Sequence, residues 1–149
     1  GGKTLRNGVD YVWTCKGGKV VGSYTVTITG KGRYAGTVAG TFKILPKATA
    51  VSKLTRAKKA FTVKWKKPSK TALKQVTGYQ IRWSTAKSLK NAKSKTVKAN
   101  SAAGKKCTLK VSKLKAGKKY YVQVRTYKKK GNITYYSSWS KAKAVTTKR

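Results

Sequence analysis

The chain has 149 residues, of which 38 are lysine or arginine and one is acidic, so its formal net charge is +37. It contains no histidine, and Asp10 is its one carboxylate, so it cannot build an imidazole-based triad or the paired acids of glycoside hydrolysis. Two cysteines and one aspartate cannot complete a zinc or calcium shell. Composition therefore argues against an enzyme, a metal site or a cofactor.

The remaining composition favours an all-β protein. Valine, threonine, tyrosine and tryptophan are frequent, only two prolines occur, and stretches with helical periodicity are scarce. No apolar run approaches the ~18 residues that indicate a membrane span. Cys15 and Cys107 lie far apart, so they form either one bridge between two domains or two free, buried thiols, and we favour the second.

Residues 1–47 predict short strands joined by tight turns. Asn7-Gly8 is a turn dipeptide, and residues 10–15 alternate as a strand that a two-residue hairpin at 16–19 would close. Residues 22–29 form the clearest strand, with Tyr24, Val26 and Ile28 on one face, and residues 36–44 form another.

Two motifs in this segment carry a resemblance. K-T-L-x-N-G-x-D-Y begins at Lys3, and V-G-S-Y-T-V-T-I-T-G-K-G-x-Y-x-G-T-V-x-x-T-F-K-I begins at Val21. Over residues 3–45 the chain resembles the end of an immunoglobulin-like repeat of secreted and wall-attached proteins of Gram-positive bacteria. A whole sandwich takes ~100 residues. The resemblance thus implies a partial module at 1–47, whose first strands are cut away, supplied by another chain, or replaced by packing on the second domain.

Residues 48–149 account for a second and complete sandwich. Strands are predicted around Val51, over 61–65, over 78–83, weakly at 96–98, at 109–111, over 120–126, and as one last strand over 135–147. Seven strands with long polar connections favour a Greek-key arrangement. Tyr120 follows Leu114 and a Gly117 turn, which predicts a tyrosine corner: the ring in the core, and the hydroxyl bonded to the turn backbone.

Four motifs together resemble a fibronectin type III domain over residues 49–149: W-x-x-P from Trp65, G-Y-x-I-x-W from Gly78, L-x-x-G-x-x-Y-x-V-x-V from Leu114, and S-S-W-S around Trp139. The resemblance implies a non-catalytic all-β fold, with Trp65 and Tyr120 as structural core residues. Lys143 departs from it, because an apolar residue is usual there. In relatives with a W-S-x-W-S signature the tryptophan stacks on arginines, which predicts that Trp139 is the one tryptophan on the outer surface and stacks on Arg125 or Arg82.

The basic clusters are the candidate binding residues. They line the second strand and its exit, the outward positions of the third and sixth strands, and the tip of the last hairpin: Lys64, Lys66, Lys67, Arg82, Arg125, Lys128, Lys129 and Lys130. Such a surface would bind polyanions by charge, with steep salt dependence and little sequence preference. Solvated strand faces are the alternative explanation. Lysine dominates over arginine, so nucleic acid is expected to bind only non-specifically.

Together the two family resemblances and the charge imply a spacer and adhesion segment of a longer, secreted or cell-surface bacterial protein with neighbouring domains. Its expected partners are an anionic polysaccharide or teichoic-acid-like polymer, a host glycan, or a protein ligand. The alternatives are a cationic effector acting on nucleic acid or anionic membranes, and a spacer with no ligand.

Overall fold

A computed structural model describes residues 2–149, and the fold is all-β. The chain divides into two compact units, the first ending at Ile44 and the second spanning Leu45–Arg149. We call them unit 1 and unit 2.

Unit 1 is a three-stranded antiparallel sheet. Its strands are β1 (Tyr11–Cys15), β2 (Gly22–Gly30) and β3 (Thr37–Ile44), in the order β1-β2-β3, with a 3-10 turn at Gly32–Tyr34. Asp10 accepts a hydrogen bond from the Arg6 N–H at 2.9 Å and so caps the preceding turn.

The connection between β1 and β2 differs from the prediction. It runs from residue 16 to residue 21, so the predicted two-residue hairpin is wrong. Gly17 has φ +103°, and a Cβ there would lie 2.7 Å from the Tyr24 ring. Gly18 has φ +95° and lies against the Phe42 ring. The two glycines let the loop fold back over one end of the sheet, which needs more residues than a tight turn.

The two faces of the unit 1 sheet differ sharply in polarity. Register pairs Trp13 with Ile28 and Ile28 with Val38, so these side chains share a face with Tyr24 and Val26. We call this the apolar face: Tyr11, Trp13, Cys15, Tyr24, Val26, Ile28, Val38, Phe42 and Ile44. The opposite face carries mainly threonine and serine. Trp13 is 55% exposed and Val38 is 64% exposed. A sheet with one apolar face normally buries it against another layer, and residues 2–44 form no such layer.

Unit 2 is a two-sheet sandwich of eight strands: β4 (Val51–Ala57), β5 (Ala60–Trp65), β6 (Gly78–Ser84), β7 (Lys93–Lys98), β8 (Thr108–Val111), β9 (Lys119–Lys130), β10 (Ile133–Tyr136) and β11 (Lys143–Thr146). One sheet has the order β4-β5-β8, and the other has β10-β9-β6-β7 with β11 also paired to β9. Two short helices, α1 (Lys70–Leu73) and α2 (Ala102–Lys105), were not predicted. None of the helices in residues 2–149 has the length and apolar character needed to cross a bilayer.

The core of unit 2 lies between these sheets. Alternate residues of β5, β6 and β9 point inward, as their period-2 patterns predict, and Phe61, Ile81 and Val122 are fully buried. Trp65 is 3% exposed and packs on Tyr79 with ring centroids 5.0 Å apart. The prediction that Trp65 is a core residue is confirmed.

Tyr120 forms the predicted corner. Its side chain is buried, and its hydroxyl accepts a hydrogen bond from the Lys115 N–H at 3.1 Å. Thr147 reinforces the same turn, because its hydroxyl donates to the Lys115 carbonyl at 2.7 Å and accepts from the Lys118 N–H at 3.2 Å. The turn between the two sheets is therefore fixed from both ends.

The last predicted strand is interrupted. β10 ends at Tyr136 and β11 begins at Lys143, so a single strand over 135–147 is wrong. Between them, the hydroxyls of Ser137 and Ser140 accept from the N–H groups of Thr126 and Val124, both at 3.1 Å. Side-chain hydroxyls thus replace part of the ladder. Lys143 is exposed, and its ammonium donates to the Ser52 carbonyl at 3.1 Å.

Both cysteines are free thiols. Cys107 is buried, and its thiol donates to the Gly104 carbonyl at 3.4 Å. Cys15 is only partly buried, so the expectation of two buried thiols is correct for Cys107 alone.

The exposed apolar face of unit 1 can be tested directly. We expect a dye that binds exposed apolar surface, such as ANS, to fluoresce with the chain, and Val38→Lys to reduce that signal at least by half. Val38 lies on the apolar face, whereas Ala39→Lys adds the same charge to the opposite face of the same strand and serves as the control. Equal effects of the two variants on dye fluorescence would contradict the assignment of the faces.

Candidate polyanion-binding surface

The eight predicted basic residues do not form one surface. Lys64 lies on β5 in one sheet of the sandwich, whereas Arg82 and Arg125 lie on β6 and β9 in the other. Because the core separates the two sheets, their outward side chains face opposite directions. The candidates fall into three groups: a lysine face, an arginine–aromatic cluster and a hairpin tip.

The lysine face begins on the outer side of the β4-β5-β8 sheet. Lys64 is exposed and directly opposite Lys53 on β4, and Lys110 on β8 is opposite Thr62. Strands are ~4.8 Å apart, and like charges directly opposite destabilise a sheet. An anion between the Lys53 and Lys64 ammonium groups would reduce this repulsion.

Lys66 and Lys67 extend this face beyond the end of β5. The chain there pairs with residues 49–50: the Lys66 N–H donates to the Ala50 carbonyl, and the Thr49 hydroxyl donates to the Lys66 carbonyl at 2.6 Å. Together with Lys47, the two lysines line a cavity of about 350 Å³. We define the lysine face as Lys47, Lys53, Lys64, Lys66, Lys67 and Lys110.

Arg82 and Arg125 belong to a stacked cluster. The guanidinium carbons of both arginines lie 4.2 Å from the centroid of the Trp139 ring. Arg125 also stacks on Tyr136 at 3.8 Å, and Tyr136 packs on Tyr127 with ring centroids 6.2 Å apart. Trp139 therefore contacts both arginines, where the sequence suggested one or the other. We call these five residues the arginine–aromatic cluster.

Glutamines on neighbouring strands hold both guanidinium groups in place. Gln123 Oε1 accepts from Arg82 Nε at 2.8 Å and from Nη2 at 2.6 Å. Gln80 Oε1 accepts from Arg125 Nε at 2.8 Å. Burial lowers the pKa of Arg125, the charge of Arg82 lowers it further, and Tyr136 acts in the opposite direction. The arginine–aromatic cluster therefore links neighbouring strands of this sheet. Only part of each guanidinium group remains to bind an anion.

Lys128, Lys129 and Lys130 end β9 beside the Gly131-Asn132 turn, as predicted for a hairpin tip. Lys129 and Lys130 are exposed, but the Lys128 ammonium donates to the Lys74 carbonyl at 3.1 Å. The Lys129 N–H donates to the Thr77 hydroxyl at 3.0 Å. The Lys128 ammonium is therefore already bonded within unit 2.

Sequence reasoning ranked the tryptophans incorrectly. Trp139 is only partly exposed, and Trp13 in unit 1 is 55% exposed, so Trp139 is not the one surface tryptophan. The roles of Gln80, Gln123 and Tyr136 were also missed. The register pairs Gln80 with Arg125 and Gln123 with Arg82, and this cross-strand pairing was the signal that could have identified the two glutamines. No group of three histidine, cysteine or acidic residues suited to a metal occurs in the described part of the chain.

The family of unit 2 follows from its sequence. The family model described as fibronectin type III domain matches residues 45–143. The chain belongs to the fibronectin type III family. Domains of this family are generally non-catalytic and sit in multidomain proteins, which agrees with a spacer or adhesion role.

A solved structure supports the fold of this fibronectin type III protein. The crystal structure of the FN1-FN3 domains of chicken CNTN1 matches with a TM-score of 0.54 and 18% sequence identity. The match covers 87% of this chain and 42% of that one, so the chain spans less than half of the length of that structure. No protein with a curated description matches by sequence.

The arginine–aromatic cluster predicts a stability effect. Trp139→Ala removes two cation–π contacts, each worth roughly 0.5–1 kcal/mol, so we expect the free energy of unfolding of unit 2 to fall by about 1–2 kcal/mol. Denaturant unfolding measures this change. Ser138→Ala, at the exposed neighbouring position, should change stability by less than about 0.5 kcal/mol. If Trp139→Ala lowers the free energy of unfolding no more than Ser138→Ala does, the stacking of the two arginines on Trp139 does not contribute measurably to stability.

Proposed function

We propose that this chain is a non-catalytic spacer and adhesion segment that binds an anionic polymer through the lysine face. The distribution of charge is the main support for this proposal. Seven of the 38 lysines and arginines precede Leu45 and 31 follow it, while residues 45–149 contain no acidic side chain. Solubility does not require removing every carboxylate from a domain of this size. A ligand that supplies the missing negative charge accounts for that composition.

The lysine face is the best-supported contact surface. Its six ammonium groups occupy one sheet face and the adjoining strand exit, and Lys53 directly opposes Lys64. The arginine–aromatic cluster is partly occupied by its own glutamines and rings, and Lys128 is bonded to a carbonyl. A polymer lying across β4, β5 and β8 would contact several unpaired lysines at once.

We infer further that unit 1 is the later part of an immunoglobulin-like repeat and that the protein is secreted or attached to the surface of a Gram-positive bacterium. The motifs of residues 3–45 support this origin, and so does the apolar face, which needs a second layer. The dye measurement on the Val38 variant checks whether that layer is missing from the chain itself.

The expected binding behaviour is salt-dependent and uneven over the surface. At about 50 mM NaCl, heparin or a teichoic-acid-like polymer should bind, and affinity should fall steeply as salt rises, because binding releases counterions. The triple variant K64Q/K66Q/K67Q should lose about tenfold in affinity, and K128Q/K129Q/K130Q about threefold. Calorimetry or retention on a heparin column measures both effects.

The matched control is K70Q/K87Q/K141Q, which removes the same charge from exposed positions outside these groups. Equal losses in all three triple variants would show that net charge alone matters, and absence of binding at about 50 mM NaCl would overturn the function. Duplex DNA that competes better than other polyanions, or leakage from anionic vesicles, would instead favour a cationic effector.

A further inference from the structure

A second concave site lies at one end of the unit 2 sandwich. A cavity of about 490 Å³ opens between the loop that joins β6 to β7 and the turn that precedes β9. Its apolar lining comes from Trp83, Ala86, Leu114 and Tyr120. This volume falls within the ~300–1,000 Å³ typical of small-molecule sites, which are likewise mostly apolar with a few polar groups.

Hydrogen bonds fix the loop that forms one wall of this cavity. The Ser84 hydroxyl donates to the Lys90 carbonyl at 2.8 Å and accepts from the Ala86 N–H at 3.1 Å. The Leu89 N–H donates to the Ala86 carbonyl at 2.9 Å. Leu89 and Asn91 have positive φ values of 60° and 52°. Left-handed backbone is uncommon for leucine, and such strain persists only where surrounding structure enforces it.

The opposite wall is fixed as firmly. The Leu114 N–H donates to the Lys59 carbonyl at 2.9 Å, and the Lys115 N–H donates to the Tyr120 hydroxyl. Lys113, between β8 and this turn, has φ +58°. Both walls are therefore preformed, and a ligand would not need to order them, which lowers the cost of binding.

The rim of the cavity is cationic. Lys90, Lys93, Lys113 and Lys115 line it, and unit 2 contains no acidic side chain to neutralise them. The Trp83 indole Nε1–H is buried and has no hydrogen-bond acceptor among residues 2–149. An anionic group at the rim would be attracted by every charged group that lines the site.

We propose that this cavity binds one anionic ring of the polymer, a sugar carrying a sulfate or carboxylate, with the ring on the apolar lining and the charge at the lysine rim. This proposal rests on the proposed polyanion binding and adds a defined subsite to it. The subsite recognises a single charged ring, whereas the lysine face recognises the repeated charge of the chain.

The test uses monomeric probes and the complete chain. We expect a sulfated or uronic-acid monosaccharide to shift the indole N–H resonance of Trp83, assigned with Trp83→Phe, and the amides of residues 84–91 and 113–115. Inorganic sulfate should bind at least fivefold more weakly, because it lacks the ring, and an uncharged hexose should not bind. An aromatic carboxylate distinguishes a sugar site from a general site for anionic rings: binding as tight as that of the sugar would overturn the assignment to sugars.

Three variants separate the cavity from simple charge. K113Q/K115Q should weaken monosaccharide binding by about tenfold, while K70Q/K141Q, with the same charge change elsewhere, should change it less than twofold. Ala86→Leu narrows the cavity without altering charge and should also weaken binding at least fivefold. Equal effects of the two lysine pairs, or shifts spread evenly over all lysine-bearing strands, would overturn the subsite. Because the probe is monomeric, failure here leaves polymer binding by the lysine face intact, whereas failure of the polymer to bind is detected separately by the heparin titration.

Discussion

The fold of unit 2 depends on placing 31 cations without any acidic side chain to pair with them. The structure places them by other means. Arg82 and Arg125 stack on aromatic rings and donate to glutamine oxygens, and Lys128 and Lys143 donate to backbone carbonyls. Neutral hydrogen-bond acceptors and aromatic faces lower the free energy of a partly buried cation, but they leave its positive charge in place. The surface therefore keeps its repulsion.

That repulsion has to be offset by interactions that charge does not weaken. The core supplies most of this stabilisation, because Phe61, Ile81 and Val122 are fully buried between the two sheets. Buried apolar surface contributes roughly 25 cal/mol per Å² whatever the surface charge. The tyrosine corner and the serine hydroxyls that accept from β9 then fix the chain where strands change sheets or break. A bound polyanion would stabilise the same fold by removing repulsion rather than by adding packing.

The sequence predicted the sandwich because its signals are local. Period-2 patterns in β5, β6 and β9 place Phe61, Ile81 and Val122 inward whatever the rest of the chain does. Tyr120 could be assigned for a similar reason, since its hydroxyl binds a residue five positions earlier.

The sequence-based predictions were wrong where contacts between distant parts of the chain determine the local structure. The break between β10 and β11 depends on serine hydroxyls that contact a distant strand, and the longer β1–β2 loop depends on glycines that fold against Tyr24 and Phe42. The division of the basic residues between opposite faces follows from strand order, which no local pattern encodes. The cavity was missed for the same reason, because its two walls come from separate segments of the sequence, residues 83–93 and residues 113–120.

Uncompensated positive charge limits the stability of unit 2, and a bound polyanion should relieve the repulsion. The most direct measurement is the free energy of unfolding of the chain as a function of NaCl concentration, with and without heparin at constant ionic strength. We expect the free energy of unfolding to rise with NaCl concentration, since screening weakens repulsion between like charges, and to rise further with heparin at low salt. Stability that is independent of NaCl or falls as NaCl rises, or heparin that leaves unfolding unchanged at low salt, would contradict it.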